Sequence, residues 1–195
     1  MDYTRYLKKF VSPYRTFQDA EKSDKIGSSQ LEQDDRAFNK LPELVYEEAQ
    51  FIYGNIYLGS LVSANDEQWL RYNGITHVLG LVDGQKRYPG ISYLVFNDVM
   101  DSPVQNLIVY FSRAFKFIDD SLASGGRVLV HCHAGISRST SIVVAYLMYK
   151  YGMNMNQAYD ITRSARRIVN PNYGFFLQLR VFDQLTPEER KIFCS

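Results

Sequence analysis

Cysteine is scarce in this chain of 195 residues, which contains only Cys132 and Cys194. Two cysteines are too few for the disulfide framework of a small secreted domain, and they fit a reducing compartment. Charge of one sign is also lacking, because 22 Lys and Arg residues nearly balance 21 Asp and Glu residues. The net charge of +1 gives no global field that would attract nucleic acid or anionic lipid. Any anion site must therefore be local.

Long hydrophobic runs are missing as well. The longest apolar stretch, residues 142–149, is much shorter than a segment that spans a bilayer. The N-terminus has no hydrophobic signal region, Asp2 excludes a myristoylation start, and the position of Cys194 does not fit a prenylation motif. We therefore expect a protein that binds neither membrane nor nucleic acid and resides in the cytoplasm, the nucleus or both.

Apolar side chains are abundant, at 46% of the chain with 15 Tyr and 12 Phe. They suffice for the core of one domain, which is what a chain of this length commonly forms. The first 47 residues differ from the rest, since ten of the 23 residues at 18–40 are charged and residues 3–17 fit a short amphipathic helix. We predict an extension over 1–47, partly helical or loosely ordered, and a packed domain over 48–193.

Strand-like and helix-like patterns alternate within the packed domain. The predicted strands lie at 51–53, 56–58, 75–82, 91–96 and 127–131. The predicted helices lie at 63–72, 106–122 and 139–151. A further helix is predicted to begin at Asn154, with Gln157 as its capping-box partner, and a last helical region runs over about 173–190. This alternation predicts an α/β fold with a mostly parallel central sheet flanked by helices on both faces.

One segment carries the residues of a chemical site, namely HCHAGISRS at 131–139. It follows a predicted buried strand and opens a predicted buried helix, at the sheet edge where α/β folds place their sites. The N–H groups at a helix N-terminus bind anions, Gly135 permits a tight curl, and the guanidinium of Arg138 can grip two phosphate oxygens. Such a loop also favours a nucleophilic thiolate at Cys132. The segment predicts a cradle for a tetrahedral dianion with sulfur at its base.

The motif His131-Cys132-x-x-Gly135-x-x-Arg138-Ser139 resembles the signature of cysteine-dependent protein tyrosine phosphatases. The fuller string is similar to the dual-specificity branch, which removes phosphate from Tyr and from Ser or Thr. Further similar stretches are YLGS at 57–60, GITHVL at 74–79 and NPN-x-GF-x-x-QL at 170–179. The resemblance covers about residues 48–185, so the domain over 48–193 is identified as a dual-specificity phosphatase catalytic domain.

The resemblance implies a role for each residue of the loop. Cys132 attacks phosphorus, Ser139 stabilises the leaving thiolate, His131 supports the loop and the sulfur indirectly, and Asn172 is a further supporting residue. The phosphate is bound by the loop residues His133, Ala134, Gly135, Ile136, Ser137 and Arg138. The implied partner is a phosphorylated protein substrate, and neither a metal nor another cofactor is required.

The family also carries an aspartate that acts as general acid on a mobile loop, roughly thirty residues before the cysteine and just ahead of a helix. Asp101 stands 31 residues before Cys132 and directly precedes the helix predicted at 106–122. Asp98 is the rival candidate, three residues earlier. We prefer Asp101 because the start of the helix anchors the alignment there.

Two other functions remain open on the sequence. The domain is similar to the phosphoserine/threonine/tyrosine-interacting proteins, whose members without the cysteine bind phosphoproteins without turnover, although this chain has Cys132. A third reading is a phosphatase for a non-protein phosphate, such as a phosphoinositide, RNA or glucan. Elsewhere we expect a solvated helix face at Arg163, Arg166 and Arg167 and an inert thiol at Cys194.

Overall fold

The protein is described by a computed structural model over residues 48–194. The predicted helix at 3–17 and the charged segment at 18–40 lie outside the described residues. The domain boundary at residue 47 stays a prediction.

Five short strands form one sheet in the described part of the chain. They are β1 (Gln50–Tyr53), β2 (Ile56–Gly59), β3 (His77–Gly80), β4 (Ser92–Val95) and β5 (Val128–His131). The order across the sheet is β1-β2-β5-β3-β4. Only β1 and β2 pair in antiparallel fashion, whereas β2, β5, β3 and β4 are mutually parallel neighbours. The predicted mostly parallel sheet is confirmed, and β5, which leads into the HCHAGISRS segment, lies at its centre.

The helices are α1 (Leu61–Ala64), α2 (Glu67–Tyr72), α3 (Phe111–Ala123), α4 (Arg138–Tyr151), α5 (Met155–Ala165), α6 (Tyr173–Asp183) and α7 (Pro187–Cys194). A short 3-10 turn over Ile108–Tyr110 precedes α3. The predicted capping box at the start of α5 is present, with Asn154 and Gln157 bonding each other's backbone N–H groups.

Two predicted helices are each split in the structure. The helix expected at 63–72 ends and restarts, because the side chain of Asp66 accepts a hydrogen bond from the N–H of Trp69 and so caps a new helix, α2. The helix expected at 173–190 breaks before Pro187, where the hydroxyl of Thr186 accepts from the N–H of Glu189. The single helix predicted at 63–72 was wrong, and the helical region predicted at about 173–190 consists of two helices, because short polar side chains compete for backbone N–H groups.

The sheet separates two apolar clusters, so the predicted helices on both faces are confirmed. The larger cluster contains residues of α3, α4, α5, α6 and α7, and the smaller contains residues of α1 and α2. Strand β5 contributes side chains to both clusters, because Val128 and Val130 belong to the larger cluster and Leu129 belongs to the smaller one. None of the helices within residues 48–194 is long and apolar enough to cross a membrane.

Candidate active site

The turn from β5 into α4 curls around a glycine that no other residue can replace without strain. Gly135 has a φ of +69°, a backbone conformation that residues with a Cβ atom rarely adopt. A Cβ built at this position would also lie 2.5 Å from the carbonyl oxygen of Gly59 on β2. Both the backbone conformation and the close approach of β2 therefore require glycine here.

The carbonyl groups of residues 133–137 are each bound by a donor outside the loop. The backbone N–H of Leu61 binds the oxygen of His133 at 3.1 Å, the N–H of Asn170 binds that of Ile136 at 2.9 Å, and the N–H of Ser141 binds that of Ser137 at 3.0 Å. The guanidinium of Arg166 binds the remaining two, from Nη2 to Ala134 at 3.0 Å and from Nε to Gly135 at 3.1 Å.

This anchoring fixes the direction of the loop's N–H groups. In a trans peptide the C=O of one residue and the N–H of the next lie in one plane and point in opposite directions. Outward carbonyls at 133–137 therefore turn the N–H groups of 134–138 toward the inside of the loop. Among residues 48–194, none of the N–H groups of 134–137 donates a hydrogen bond to another residue. The loop is a concave array of donors suited to an oxyanion.

Cys132 comes directly before the residues of this array, and it is 2% exposed. The hydroxyl of Ser139, in the first turn of α4, donates a hydrogen bond to the sulfur over 3.2 Å. A hydroxyl in this position stabilises negative charge on sulfur. The structure thus brings together the two residues that the sequence pairs as nucleophile and thiolate support.

His131 is completely buried on the opposite side of β5 from Cys132. Its Nδ1 lies 3.2 Å from the carbonyl oxygen of Cys132. The neutral ring donates a hydrogen bond to this oxygen in the tautomer that carries its proton on Nδ1. Burial lowers the pKa of this imidazole from 6.5 to about 4. The ring is therefore uncharged near neutral pH, and it acts on the loop by holding the backbone of Cys132.

Arg138 is anchored by one end of its guanidinium. Its Nη1 donates to the carbonyl oxygens of Leu81 and Val99, both at 3.1 Å. Its Nε forms no hydrogen bond with a described residue and lies 3.7 Å from Oδ2 of Asp101. The side chain is only 13% exposed, so its charge is poorly screened by solvent. The Nη1 end of the guanidinium is fixed by backbone carbonyls, and the Nε end lies toward the carboxylate of Asp101.

Of the two candidate acids, Asp101 is the one at this loop. Its Oδ1 accepts hydrogen bonds from the hydroxyl of Ser137 at 2.7 Å and from Nδ2 of Asn172 at 2.8 Å. The carboxylate of Asp98 instead accepts from the hydroxyl of Tyr110 at 2.9 Å. The geometry favours Asp101 as the acid, and Ser137 contributes a side-chain contact that the sequence did not suggest.

The segment that carries Asp101 rests on the first two turns of α6. Gly174 packs so closely that a Cβ there would overlap the carbonyl of Pro103. Farther along α6, the amide of Gln178 accepts from the N–H of Leu107 at 2.7 Å and donates to the carbonyl of Gln105 at 2.8 Å. Together with Asn172, these contacts hold the Asp101 segment against α6 in the structure.

The expectation of a solvated face at Arg166 is wrong. Arg163 and Arg167 are exposed, but Arg166 is 1% exposed and binds the loop carbonyls. The spacing held a signal, because Ala158 and Thr162 precede Arg166 at steps of four residues and are also completely buried. An arginine on that face must make hydrogen bonds inside the protein.

The remaining candidates stand apart from the loop or contribute only its backbone. The side chain of His133 is exposed. Cys194 is buried at the end of α7, and its burial raises the pKa of the thiol to about 12, which agrees with an inert thiol. Within the described part of the chain, no three His, Cys, Asp or Glu side chains are grouped so that they would hold a metal ion.

Comparison with known proteins matches residues 56–185 to the family model for the catalytic domain of dual specificity phosphatases. Dual specificity protein phosphatase 1B of Arabidopsis thaliana is 42% identical over 134 residues, which cover 68% of this chain and 80% of that protein. Some other relatives are much longer. The matched part covers only 16% of the MAP kinase phosphatase with leucine-rich repeats protein 1 of Dictyostelium discoideum.

Two solved structures are similar in fold and sequence. The structure of DUSP15 matches with a TM-score of 0.70 and 33% identity, over 75% of this chain and 94% of that chain. The human tyrosine phosphatase-like serine/threonine/tyrosine-interacting protein matches with a TM-score of 0.65 and 36% identity, over 76% and 99%.

Proposed function

We propose that this chain, which belongs to the dual specificity phosphatase family, removes phosphate from phosphotyrosine and from phosphoserine or phosphothreonine in proteins through a phosphocysteine intermediate. The observation that carries the proposal is the hydrogen bond from the Ser139 hydroxyl to the Cys132 sulfur, at the start of a loop whose anchored carbonyls turn its N–H groups inward. Such preorganised donors stabilise the charge on a phosphoryl group during transfer.

In the first step the thiolate of Cys132 attacks phosphorus, and the bond from phosphorus to the side-chain oxygen of the substrate breaks. Asp101 transfers its proton to that oxygen, so the substrate leaves as a neutral alcohol or phenol. The N–H groups of 134–138 and the free edge of the Arg138 guanidinium bind the three equatorial oxygens. Proton transfer by a positioned acid contributes ~10²–10⁴ in rate.

In the second step a water molecule attacks the phosphorus of the phosphocysteine. Asp101, now ionised, accepts a proton from that water, and the sulfur–phosphorus bond breaks. The electron pair returns to the sulfur of Cys132, where the Ser139 hydroxyl stabilises the thiolate. Inorganic phosphate leaves, and both Cys132 and Asp101 are restored to their starting states.

A second candidate function is suggested by the likeness to the human serine/threonine/tyrosine-interacting protein. A phosphoprotein-binding module would use the same array of N–H groups to hold a phosphorylated side chain without hydrolysing it. Hydrolysis is favoured here because the nucleophile, its hydroxyl partner and an aspartate all meet at the loop.

The test is phosphate release by the full chain from matched peptides that carry phosphotyrosine, phosphoserine or phosphothreonine. We expect all three to be hydrolysed and the Cys132→Ser variant to release none. If the wild type bound the peptides without hydrolysing them, the result would support the phosphoprotein-binding function instead of the phosphatase function. Much faster release from a phosphoinositide vesicle, a 5′-phosphorylated RNA or a phosphoglucan would show that the substrate is not a protein.

A further inference from the structure

We propose that Arg166 is a positioning residue that sets the anion affinity of the phosphate-binding loop and couples it to residues 48–50, at the start of the described chain. Arg166 lies at the C-terminal end of α5 and does not point into the loop, so it is not assigned to catalysis. The role rests on the proposed function, since the anion concerned is the phosphate of the substrate.

Two of the five outward carbonyls of the loop depend on this one side chain. Nη2 binds the oxygen of Ala134 and Nε binds that of Gly135, at 3.0 and 3.1 Å. Because each peptide is planar, these two bonds determine where the N–H groups of Gly135 and Ile136 point. If Arg166 were absent, both peptide groups could rotate, and two donors would no longer be preorganised for the anion.

Close packing makes this support specific for arginine. A Cβ on Gly135 would come within 3.1 Å of Nε of Arg166, so the guanidinium lies directly against the turn of the loop. Arginine presents several N–H donors in one rigid plane and can hold two carbonyls and further acceptors at once. Lysine carries the same charge, but its three N–H donors sit on a single nitrogen and cannot match acceptors spread along the plane of a guanidinium.

The third nitrogen of the guanidinium reaches in the opposite direction, toward β1. Nη1 donates to the side-chain oxygen Oε1 of Gln50 and to the carbonyl oxygen of Glu48 at 3.4 Å. The carboxylate of Glu48 in turn accepts from Nε1 of Trp69 on α2 at 3.1 Å. A single buried guanidinium therefore joins the phosphate-binding loop to the edge strand and to the residue that directly follows residues 1–47.

The consequence is that the loop's donors respond to the position of residues 48–50. A displacement of Gln50 and Glu48 would remove two acceptors of Nη1 and would leave the guanidinium less firmly oriented under the loop. Buried hydrogen bonds to a charged group are costly to leave unmade, so the guanidinium would move with its acceptors. Segment 48–50 is thus a point from which the first 47 residues can influence phosphate binding.

The experiment measures binding of tungstate, a tetrahedral dianion, by calorimetry to the full chain and to four variants. Gln50→Leu removes the acceptor without touching the loop, Arg166→Lys keeps the charge without the planar fork, and Arg166→Met removes the charge. Arg163→Ala is the matched control, because Arg163 is exposed on the same helix. Thermal unfolding of each variant is recorded beside the binding.

We expect the dissociation constant to rise about tenfold for Arg166→Lys and more for Arg166→Met, as for loss of hydrogen bonds to a charged group. Gln50→Leu should weaken binding severalfold, and Arg163→Ala should leave it unchanged. Wild-type affinity in folded Arg166→Lys and Gln50→Leu would overturn the proposal, because a merely structural role lowers only the unfolding midpoint. Since calorimetry needs no turnover, an inactive wild type would refute the proposed function without deciding this one.

Discussion

Nδ2 of Asn172 donates a hydrogen bond to Oδ1 of Asp101 over 2.8 Å, across 71 residues of sequence. The hydroxyl of Ser137 donates to the same oxygen, so Oδ1 is engaged as an acceptor by two donors. The proton that a general acid delivers must then be carried on Oδ2, the oxygen that lies 3.7 Å from Nε of Arg138. This arrangement aims the acidic oxygen toward the edge of the phosphate-binding loop and leads to the first two predictions.

Asp101→Asn should lower turnover of a substrate with a poor leaving group, such as phenyl phosphate, by ~10²–10⁴. Turnover of an aryl phosphate with a highly acidic phenol should fall much less, because its leaving oxygen needs no proton. The measurement is kcat for both substrates. Asp98→Asn is the matched control, since Asp98 bonds Tyr110. Retained turnover in Asp101→Asn together with a loss in Asp98→Asn would assign the acid to Asp98.

Asn172→Ser should separate two side-chain hydrogen bonds of Asn172 that have distinct roles, one to Asp101 and one to the start of α6. Its Oδ1 accepts from the N–H of Phe175 and caps α6, a role that serine also fills well, whereas its Nδ2 donates to Asp101. We therefore expect the unfolding free energy to fall by less than ~1 kcal/mol and the ratio of kcat for good and poor leaving groups to rise. An unchanged ratio would show that Asn172 is only a helix cap.

Ser139→Ala should slow the breakdown of the phosphocysteine more than its formation. The Ser139 hydroxyl donates to the sulfur of Cys132, and that sulfur must leave as a thiolate in the second step. Rapid-quench measurements with an aryl phosphate should show a burst of phenol that equals the enzyme concentration, followed by a slow steady state. Turnover without a burst, at a rate equal to the wild type, would remove Ser139 from the mechanism.

Gly174→Ala should reduce activity by displacing the Asp101 segment. A Cβ at this position would overlap the Pro103 carbonyl, so the segment must shift, at a cost of ~1–3 kcal/mol in unfolding free energy. Gly152→Ala is the control with a similar cost, because Gly152 has a φ of +67° but nothing lies near its missing Cβ. We expect both variants to lose stability in urea unfolding and only Gly174→Ala to lose turnover of poor leaving groups.

His131 should remain neutral from pH 8 down to about pH 5, since burial lowers the pKa of its ring to about 4. In the unfolded chain the ring takes up a proton near pH 6.5, so the unfolded state binds more protons between these values. The contribution of His131 to the free energy of unfolding should be complete above pH 6.5. It should fall by roughly 3 kcal/mol as the pH drops to 4. Urea unfolding across this range measures the loss.

The control for this pH dependence is His133→Gln, which removes an exposed imidazole and should keep the same slope. His131→Asn should remove most of it. Nitrogen chemical shifts of the ring report the titration directly, and a midpoint near 6.5 for His131 would contradict the prediction.

Local patterns predicted most of the fold. The alternation of short apolar strands and helices gave the mostly parallel sheet, and the capping box at Asn154 and Gln157 formed as predicted because both partners lie within one helical turn. The helix boundaries at Asp66 and Pro187 were missed because a single polar side chain can end one helix and begin another without disturbing the apolar spacing. The candidate site shows the same difference between residues close together in the sequence, which the motif indicated, and contacts between distant segments, which it did not.

What the sequence by itself determined is the loop from His131 to Ser139, because its cysteine, its glycine and its arginine lie within nine consecutive residues. What only the tertiary structure decided is how that loop is held. The preference for Asp101 over Asp98, which the start of the predicted helix suggested, gains support from contacts with Ser137 and Asn172. The support from Arg166 rests on a helix that begins after the loop's own helix has ended. These contacts join residues 31 to 71 positions apart, and such pairs meet only when the packed sheet brings their elements together.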